Sequence, residues 1–453
     1  MGSNGNKKCR EFTMKRKKLV LINPVNPVRT GLTVNRSSRF PPLGLGIIAA
    51  LTPDHWDVEL VDENWESFTF QEADLVGITA FTASAYRAYQ IAAVYHEQNI
   101  PVVMGGIHAS TNPQEALEYV DTVVIGEAET VWPKVILDAE KGQLQATYQG
   151  SWLDLEGIPL PRRDIFHPDY LFASIQTSRG CPMDCEFCSV TSFNGNRYRR
   201  RSPEEVLDEI QSIPQKMLFF VDDNIIGYGS HSRDQALSIF KGMVERGFDK
   251  LWFCQASLNF ADDEEVLYWA GRAGCKMVFL GLEAEDVDAL KETNKRLNLQ
   301  RGIDSYEPAF KRIHHAGIAV LGAFIFGMDN DTVEKLEHRT NYMIKSGVDV
   351  MQTTYLTPLP GTRLFDRLNE EKRLLFTDFP RDWDRYDMTE VIFRPNAMPP
   401  AVLSETMHTC NCRLHSRSVL LRKAVRTLWN TRSFTAMMFA WTSNLNYRKV
   451  SRG

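Results

Sequence analysis

Three cysteines in one short loop constrain this chain more than any other feature. Cys181, Cys185 and Cys188 have C-x3-C-x2-C spacing and follow an apolar strand. Thiolates are soft ligands suited to iron, and four of them complete the coordination of a [4Fe–4S] cluster. This loop supplies three, so one iron would keep an open position for the nitrogen and oxygen atoms of a small molecule. The pattern therefore indicates a catalytic cluster rather than an electron relay.

A structural zinc site is the alternative interpretation of the same spacing. Zinc would require a fourth ligand close by. His167 is near in sequence but precedes the strand, and neither cysteine nor histidine falls between Cys188 and His231. Spacing alone therefore favours the cluster and leaves zinc open.

The residues around the cysteines resemble a known signature. Positions 180–188 read Gly-Cys-Pro-x-x-Cys-x-Phe-Cys, with an aromatic residue before the last cysteine. This resembles the motif of radical S-adenosylmethionine enzymes. The resemblance implies that Cys181, Cys185 and Cys188 hold a [4Fe–4S] cluster. It also implies that the open iron chelates the amino and carboxylate groups of S-adenosylmethionine.

The composition is that of a soluble globular protein, with 43% hydrophobic and 24% charged residues over 453 positions. The net charge of -5 argues against general nucleic-acid binding. Eight cysteines that include such a loop indicate a reducing compartment, so the predicted location is cytoplasmic. Residues 1–16 lack the apolar core of a secretory signal and are predicted to be a disordered lead. No apolar run reaches the roughly 20 residues of a membrane span.

Residues 17–150 alternate apolar runs with helical stretches. The runs begin near Lys18, Val58, Leu75, Val102 and Thr122, and each is short, as in a buried parallel strand. The alternation predicts a doubly wound, flavodoxin-like sheet in an α/β protein. Ligands of such sheets bind at the carboxyl ends of the strands. Those ends carry Thr79, Gly105, Gly106, Gly126 and Glu127.

Five short stretches of this sheet resemble the cobalamin-binding domain of a large branch of the same family. The resemblance implies that Thr79, Gly105, Gly106, Gly126 and Glu127 bind cobalamin. The Asp-x-His-x-x-Gly signature, whose histidine ligates cobalt in methionine-synthase-like domains, is missing. We therefore expect no histidine ligand to cobalt, and His108 lies either near the ligand tail or on a loop. The matching stretches are 42–45, 61–63, 77–79, 105–108 and 126–129.

After a proline-containing linker at 151–171, residues 172–370 repeat the alternation of strand and helix. Strands are predicted at 172–177, 217–222, 251–257, 277–282, 318–326 and 348–356. Six such units form an open partial barrel with its active site at the carboxyl ends of the strands. The resemblance to the radical S-adenosylmethionine barrel implies cofactor contacts at those ends. The implied contacts are Asp222, Asp223, Gln255, Ser257, Glu283, Gly327 and Pro358.

Two basic regions allow more than one interpretation. Residues 197–201 form a basic run that is either a solvated face or a contact for an anionic ligand group. Residues 371–453 are predicted to be helical, and 413–453 contain nine Lys or Arg with neither Asp nor Glu. That tail either caps the barrel and covers the active site or lies on an anionic membrane surface. His408, Cys410, Cys412 and His415 have unusual spacing for a second metal site.

The whole pattern is nearest to the group that includes hopanoid C-2 methylases. It implies a cobalamin-dependent methyltransferase acting on an unactivated carbon of a small-molecule or lipid substrate. The cluster would be reduced by a donor such as flavodoxin or ferredoxin, and no catalytic side chain is expected beyond the cluster and cofactors. Alternatives are oxidative cyclisation or rearrangement without methyl transfer, or a cobalamin-binding sensor or carrier. The substrate and the oligomeric state do not follow from the sequence.

Overall fold

The computed structural model describes residues 16–29, 31, 32, 36 and 39–451. The predicted disordered lead, apart from Arg16, lies outside these residues. The described chain forms two parallel six-stranded sheets followed by three long helices. This architecture confirms the predicted order of a doubly wound sheet, a partial barrel and a helical carboxyl-terminal region.

The first sheet has strand order β2-β1-β3-β4-β5-β6, with every pairing parallel. The order reverses between β1 and β3, as in flavodoxin-like sheets. The short β6 has no counterpart among the predicted strands. The elements are β1 Lys17–Asn23, α1 Leu43–Leu51, β2 Trp56–Asp62, β3 Leu75–Thr79, α2 Ala85–His96, β4 Val102–Gly105, α3 Ile107–Thr111, α4 Pro113–Ala116, β5 Thr122–Ile125, α5 Trp132–Glu140 and β6 Thr147–Gln149.

Helices cover both faces of this sheet, which explains its continuous apolar strands. Val20 and Ile22 of β1 pack with Tyr95 of α2 on one face. Leu21, between them, packs with Trp132 of α5 on the other face. Because successive side chains of a strand point to opposite faces, a strand buried on both sides has no polar positions to spare.

The second sheet is a six-stranded parallel barrel fragment with order β14-β13-β12-β11-β10-β7. All six predicted strands are confirmed. A short antiparallel pair, β8 with β9, stands beside it. The elements are β7 Phe172–Ile175, β8 Ser178–Arg179, α6 Val190–Asn194, β9 Arg199–Arg200, α7 Pro203–Ser212, β10 Met217–Phe220, α8 Ser230–Glu245, β11 Leu251–Ala256, α9 Glu264–Arg272, β12 Cys275–Glu283, α10 Val287–Glu292, α11 Arg296–Arg301, α12 Tyr306–His315, β13 Ala319–Phe326, α13 Val333–Lys345, β14 Val350–Tyr355 and α14 Arg363–Glu370.

The carboxyl-terminal helices are α15 Pro400–Leu414, α16 Arg417–Thr431 and α17 Phe434–Val450. Phe439 of α17 packs with Phe172 and Met277, which lie at the starts of their strands. The predicted cap therefore exists, but it closes the end of the barrel opposite to the strand ends where the active site is expected. Among the described residues, no helix is both long and apolar enough to cross a bilayer.

The prediction that residues 371–453 are helical is wrong for 371–399, which contain only a short 3-10 helix at Arg381–Arg385. This segment connects the barrel to the carboxyl-terminal helices and packs against the first domain. The indole N–H of Trp383 donates to the carboxylate of Glu115 in α4 at 2.9 Å. Arg29, after β1, pairs with Asp387 at 2.8 Å. These contacts fix the first sheet against the rest of the molecule.

Candidate active site

The cluster loop, residues 180–188, leaves β8 at a bend that only glycine allows. Gly180 has φ +91°, and a Cβ atom there would lie 2.2 Å from the carbonyl oxygen of Arg197. The N–H of Cys181 donates to the carbonyl of Gly195. The loop is therefore held against the residues that precede β9.

The three cysteine side chains of the loop are partly buried and influence one another. Burial raises the pKa of Cys188 to about 12, and the neighbouring Cys185 and Cys181 add to the rise. Burial also raises the pKa values of Cys181 and Cys185. Thiols so placed ionise readily only beside a cation, which is what an iron cluster supplies. The donor set therefore fits a [4Fe–4S] cluster.

Asp222 and Asp223, just after β10, accept hydrogen bonds from the residues that lead into the cluster loop. Asp222 is fully buried and accepts the backbone N–H of Thr177 at 3.0 Å and the hydroxyl of Ser178 at 2.5 Å. Asp223 accepts the N–H of Gly180 at 3.1 Å. Burial raises the pKa of Asp222 to about 6 against the opposing effect of these hydrogen bonds. The predicted contact of Asp222 and Asp223 with S-adenosylmethionine stays a prediction.

Unpaired polar atoms line the neighbouring strand ends. Asn224 donates to the hydroxyl of Ser257 at 3.2 Å, but its own Oδ1 is buried and has no partner. The hydroxyl of Tyr228 and Oδ1 of Asn259 are likewise buried and unpaired. Gln255 shares the inner face of β11 with Phe253. Buried polar atoms without partners are costly, so this region fits a polar ligand such as S-adenosylmethionine.

Lys295 is a site residue that the sequence analysis missed. Its ammonium lies 2.5 Å from a carboxylate oxygen of Glu283, and both side chains are largely buried. Burial lowers the pKa of Lys295, but Glu283 and the Cys185 thiolate outweigh that effect and raise it. The lysine thus puts a positive charge beside the cluster loop. A single lysine between two short helices has no motif that would reveal it.

The other predicted S-adenosylmethionine contacts lie at the ends of β13 and β14. Gly327 has φ +97°, and its N–H donates to Asp331 at 2.9 Å. Pro358 is buried in the loop after β14. A Cβ atom on Gly361 in the same loop would lie 2.7 Å from Cγ2 of Thr111 in α3. This barrel loop therefore touches the first domain.

The predicted cobalamin residues lie together at one edge of the first sheet. Thr79 and Gly105 are direct partners in the pairing of β3 with β4. Gly106 has φ +93°, and a Cβ atom there would lie 2.7 Å from Oγ1 of Thr79. At Gly105 the nearest atom to a Cβ would be 3.9 Å away, so this position leaves room for a ligand. Gly126 follows β5 with φ +79°.

Glu127 joins this edge to the cluster loop. Its carboxylate binds Arg199 of β9 at 2.5 Å and lies 3.4 Å from Arg179 of β8. Arg179 also binds Glu129 at 2.6 Å. Burial raises the pKa of Glu127, but the arginines outweigh that and lower it. The basic run 197–201 is therefore neither wholly solvated nor free for a ligand. Two of its four arginines, Arg199 and Arg201, form buried ion pairs with Glu127 and Glu209.

His108 and His415, the histidines of two candidate sites, contact other groups of the protein. His108 is fully buried, and Nε2 contacts Glu115 at 3.1 Å. Cys410 is buried in the barrel core, and Nε2 of His415 contacts the carbonyl of Met351 at 3.2 Å. Among the described residues, no three Cys, His, Asp or Glu side chains converge closely enough to hold a single metal ion.

Comparison with protein families agrees with this arrangement. Residues 29–136 match the B12 binding domain, and residues 175–343 match the radical SAM superfamily. The chain belongs to the cobalamin-binding radical S-adenosylmethionine enzymes. Its cofactors are accordingly a [4Fe–4S] cluster, S-adenosylmethionine and cobalamin, and the family membership decides against zinc in the cysteine loop.

Relatives of this radical S-adenosylmethionine enzyme include proteins named as methyltransferases, methylases and cyclases. It is 28% identical to the bacteriochlorophyllide d C-12(1)-methyltransferase of Chlorobaculum tepidum over 90% of this chain and 89% of that protein. It is 32% identical to the hopanoid C-2 methylase of Rhodopseudomonas palustris over 75% and 66%. A magnesium-protoporphyrin IX monomethyl ester cyclase of Rubrivivax gelatinosus is 25% identical over 74% and 65%. The structure of the methyltransferase TsrM from Kitasatospora setae has a TM-score of 0.69 and 17% identity over 97% and 99%.

Proposed function

We propose that this enzyme methylates an unactivated carbon of a small-molecule or lipid substrate. The observation that carries the proposal is the ion network of Glu127 with Arg179 and Arg199. This network joins the sheet edge that carries the predicted cobalamin residues to β8 and β9, the strand pair beside the cluster loop. A methyl donor and a radical-generating centre that act on one substrate carbon must lie at one such junction.

When bound, the cofactors supply hydrogen-atom removal and a replacing methyl group. The protein's own part is to hold and orient them and to exclude water. Cys181, Cys185 and Cys188 would hold the cluster, and Lys295 would offset part of its negative charge. The unpaired Asn224, Tyr228 and Asn259 atoms offer hydrogen bonds to a polar cofactor. No side-chain base is required, because such a C–H bond has no acidic proton.

The remaining contacts form part of the same proposal. Asp222 and Asp223 act mainly by positioning the loop, since both oxygens of Asp222 and Oδ2 of Asp223 already accept backbone N–H groups. Gln255, Ser257, Glu283, Gly327 and Pro358 would hold S-adenosylmethionine. Thr79, Gly105, Gly106, Gly126 and Glu127 would hold cobalamin, with Glu127 also bonded in the ion network.

The reaction also needs an electron donor, for which we propose a flavodoxin or ferredoxin. We place the enzyme in the cytoplasm, where thiols stay reduced. Contact with a membrane would be peripheral.

Cyclisation or rearrangement without methyl transfer is the second candidate, because a cyclase is among the relatives. The products formed from S-adenosylmethionine distinguish methyl transfer from cyclisation or rearrangement. Methyl transfer forms S-adenosylhomocysteine together with 5′-deoxyadenosine, whereas the alternative forms 5′-deoxyadenosine alone.

The first experiment is anaerobic purification and reconstitution, followed by iron, sulfide and cobalamin analysis with an optical spectrum. About four irons and one cobalamin per chain are expected. Iron without cobalamin, even after incubation with it, would contradict the methyl-transfer proposal. Cobalamin without iron would instead support a sensor or carrier.

A further inference from the structure

Helix α16 buries the apolar Val419 and Leu420 in its first turn, but from Leu421 onward it has the reverse of the usual polarity. In most helices of a globular protein, apolar residues face the core and polar residues face water. Here Lys423, Thr427 and Thr431 face inward, each no more than 5% exposed. Leu421, Val425 and Trp429 face outward and are 61%, 63% and 82% exposed. We call the outward residues Leu421, Val425, Leu428 and Trp429 the α16 stripe.

The inward polar residues are fully bonded, so the helix is correctly oriented. The ammonium of Lys423 donates to the carbonyls of Met343 at 2.7 Å and Val348 at 2.6 Å. The hydroxyl of Thr427 donates to Asp349 at 2.7 Å. Rotating the helix to bury the stripe would break these bonds. The outward apolar surface is therefore a fixed feature of the fold.

The surroundings of the stripe are positively charged. Arg417 and Arg422 are exposed on the same helix, and Arg432, directly after its end, is exposed as well. Lys311 of α12 and Lys345 of α13 are exposed on the two helices that pack near it, beside one half-buried acidic residue, Glu307 of α12. Chain positions after Glu405 contain neither Asp nor Glu. An apolar strip with a basic rim and an exposed tryptophan is the pattern of a helix lying in a bilayer interface.

A second copy of the chain is a poorer occupant. A two-fold interface places the same patch against itself. The arginines of one stripe would then face those of the other without an acidic partner on α16 or α17. Negatively charged lipid headgroups match the rim, and acyl chains match the stripe.

We propose that the α16 stripe docks this enzyme on anionic lipid bilayers. Lys423, on the inward face of α16, is bonded to the carbonyls of Ser346 and Val348 just before β14 begins, so α16 lies near the amino-terminal ends of the strands, whereas the cofactor residues lie near their carboxyl ends. Docking therefore holds the enzyme at the surface with its active-site end directed away from the lipid. This binding needs neither cofactor nor substrate and stands independently of methyl transfer.

The test is sedimentation of the full-length protein with vesicles. One set contains equal parts of phosphatidylcholine and phosphatidylglycerol, and the other contains phosphatidylcholine alone. We expect binding to the first set, weakened by salt, and at least about tenfold weaker binding to the second. The triple variant L421S/V425S/W429S should lose binding by at least about tenfold. The double variant R417Q/R422Q should weaken it by roughly tenfold.

Leu137→Ser on α5 is the matched control, because Leu137 is 47% exposed on the other domain. It should bind vesicles as the parent protein does. Circular dichroism and unchanged cobalamin uptake would show that the triple variant is folded. Equal or absent sedimentation with the two vesicle sets would overturn the proposal. The proposal would also be overturned if light scattering showed a dimer for the parent protein and a monomer for the triple variant, since the stripe would then be a contact between copies.

Discussion

Glu127 and Arg199 form an ion pair of 2.5 Å that joins the end of β5 to the strand beside the cluster loop. Their side chains are 3% and 14% exposed. Arg179, from the strand that leads into the loop, approaches the same carboxylate. One acidic side chain thus connects two domains that bind different cofactors.

Glu127→Gln should loosen this connection. The substitution removes the charge and leaves two arginines partly uncompensated, which for a buried pair costs about 3 kcal/mol of the free energy of unfolding. Urea unfolding checks the loss. Glu156→Gln is the control, because Glu156 is an exposed glutamate in the linker predicted at 151–171. An equal effect of both substitutions would mean that the network contributes nothing specific.

Cys185→Ala should abolish cluster assembly and all 5′-deoxyadenosine formation, because two thiolates cannot retain the cluster. Cys412→Ala is the matched control, since Cys412 is exposed on α15 and far from the loop in sequence. Iron analysis after reconstitution is the measurement. Normal iron content in the Cys185 variant would contradict the ligand assignment.

Gly105 and Gly106 should respond differently to substitution. Gly105 has space beside it, so Gly105→Val should keep the fold and lower cobalamin affinity by roughly tenfold or more. Gly106 has a positive φ and a crowded Cβ position, so Gly106→Ala should also cost about 1–2 kcal/mol of stability. Cobalamin titration and thermal unfolding separate the two effects. Unchanged cobalamin affinity in Gly105→Val would count against the placement of the ligand.

Lys295→Met should lower the reduction potential of the reconstituted cluster. Loss of a positive charge disfavours the added electron, by on the order of 100 mV for a short distance. The double variant Lys295→Met/Glu283→Gln removes both charges of the pair and should restore much of the potential. Spectroscopic redox titration gives the values. An unchanged potential in the single variant would leave Lys295 with a structural role only.

Lys423 should make stability dependent on pH. Burial, together with the charge of Arg426, lowers the pKa of Lys423 to about 7. The unfolded chain, with an ordinary lysine pKa near 10.4, therefore binds a proton that the folded chain releases between these values. The contribution of Lys423 to stability should therefore rise from about pH 7 to about pH 10 and be level below pH 7, where both the folded and the unfolded chain bind the proton.

The size of this rise is at most about 5 kcal/mol, because the carbonyls bonded to the Lys423 ammonium favour its charged form. The Lys423→Met variant should lack this pH-dependent rise in the free energy of unfolding. Urea unfolding at several pH values compares the two proteins, and parallel pH profiles would contradict the assigned pKa.

The sequence was sufficient for both sheets because their strands are continuous apolar runs with glycine or polar residues at their ends. It missed β6, whose three residues Thr147–Gln149 alternate weakly and gain strand structure only by pairing with β5. It also missed the direction of Asp222, which turns back toward Thr177 and Ser178. Such pairings depend on neighbours distant in sequence.

The sequence by itself determined the cofactors through family motifs, since the cysteine loop and the glycines at strand ends are short local stretches that match the radical SAM and B12-binding families. The tertiary structure alone decided how the two halves meet. Glu127 with Arg199, Glu283 with Lys295, and the outward α16 stripe each depend on positions brought together by packing. Charge pairing and burial act through space, so the order of residues along the chain does not reveal them.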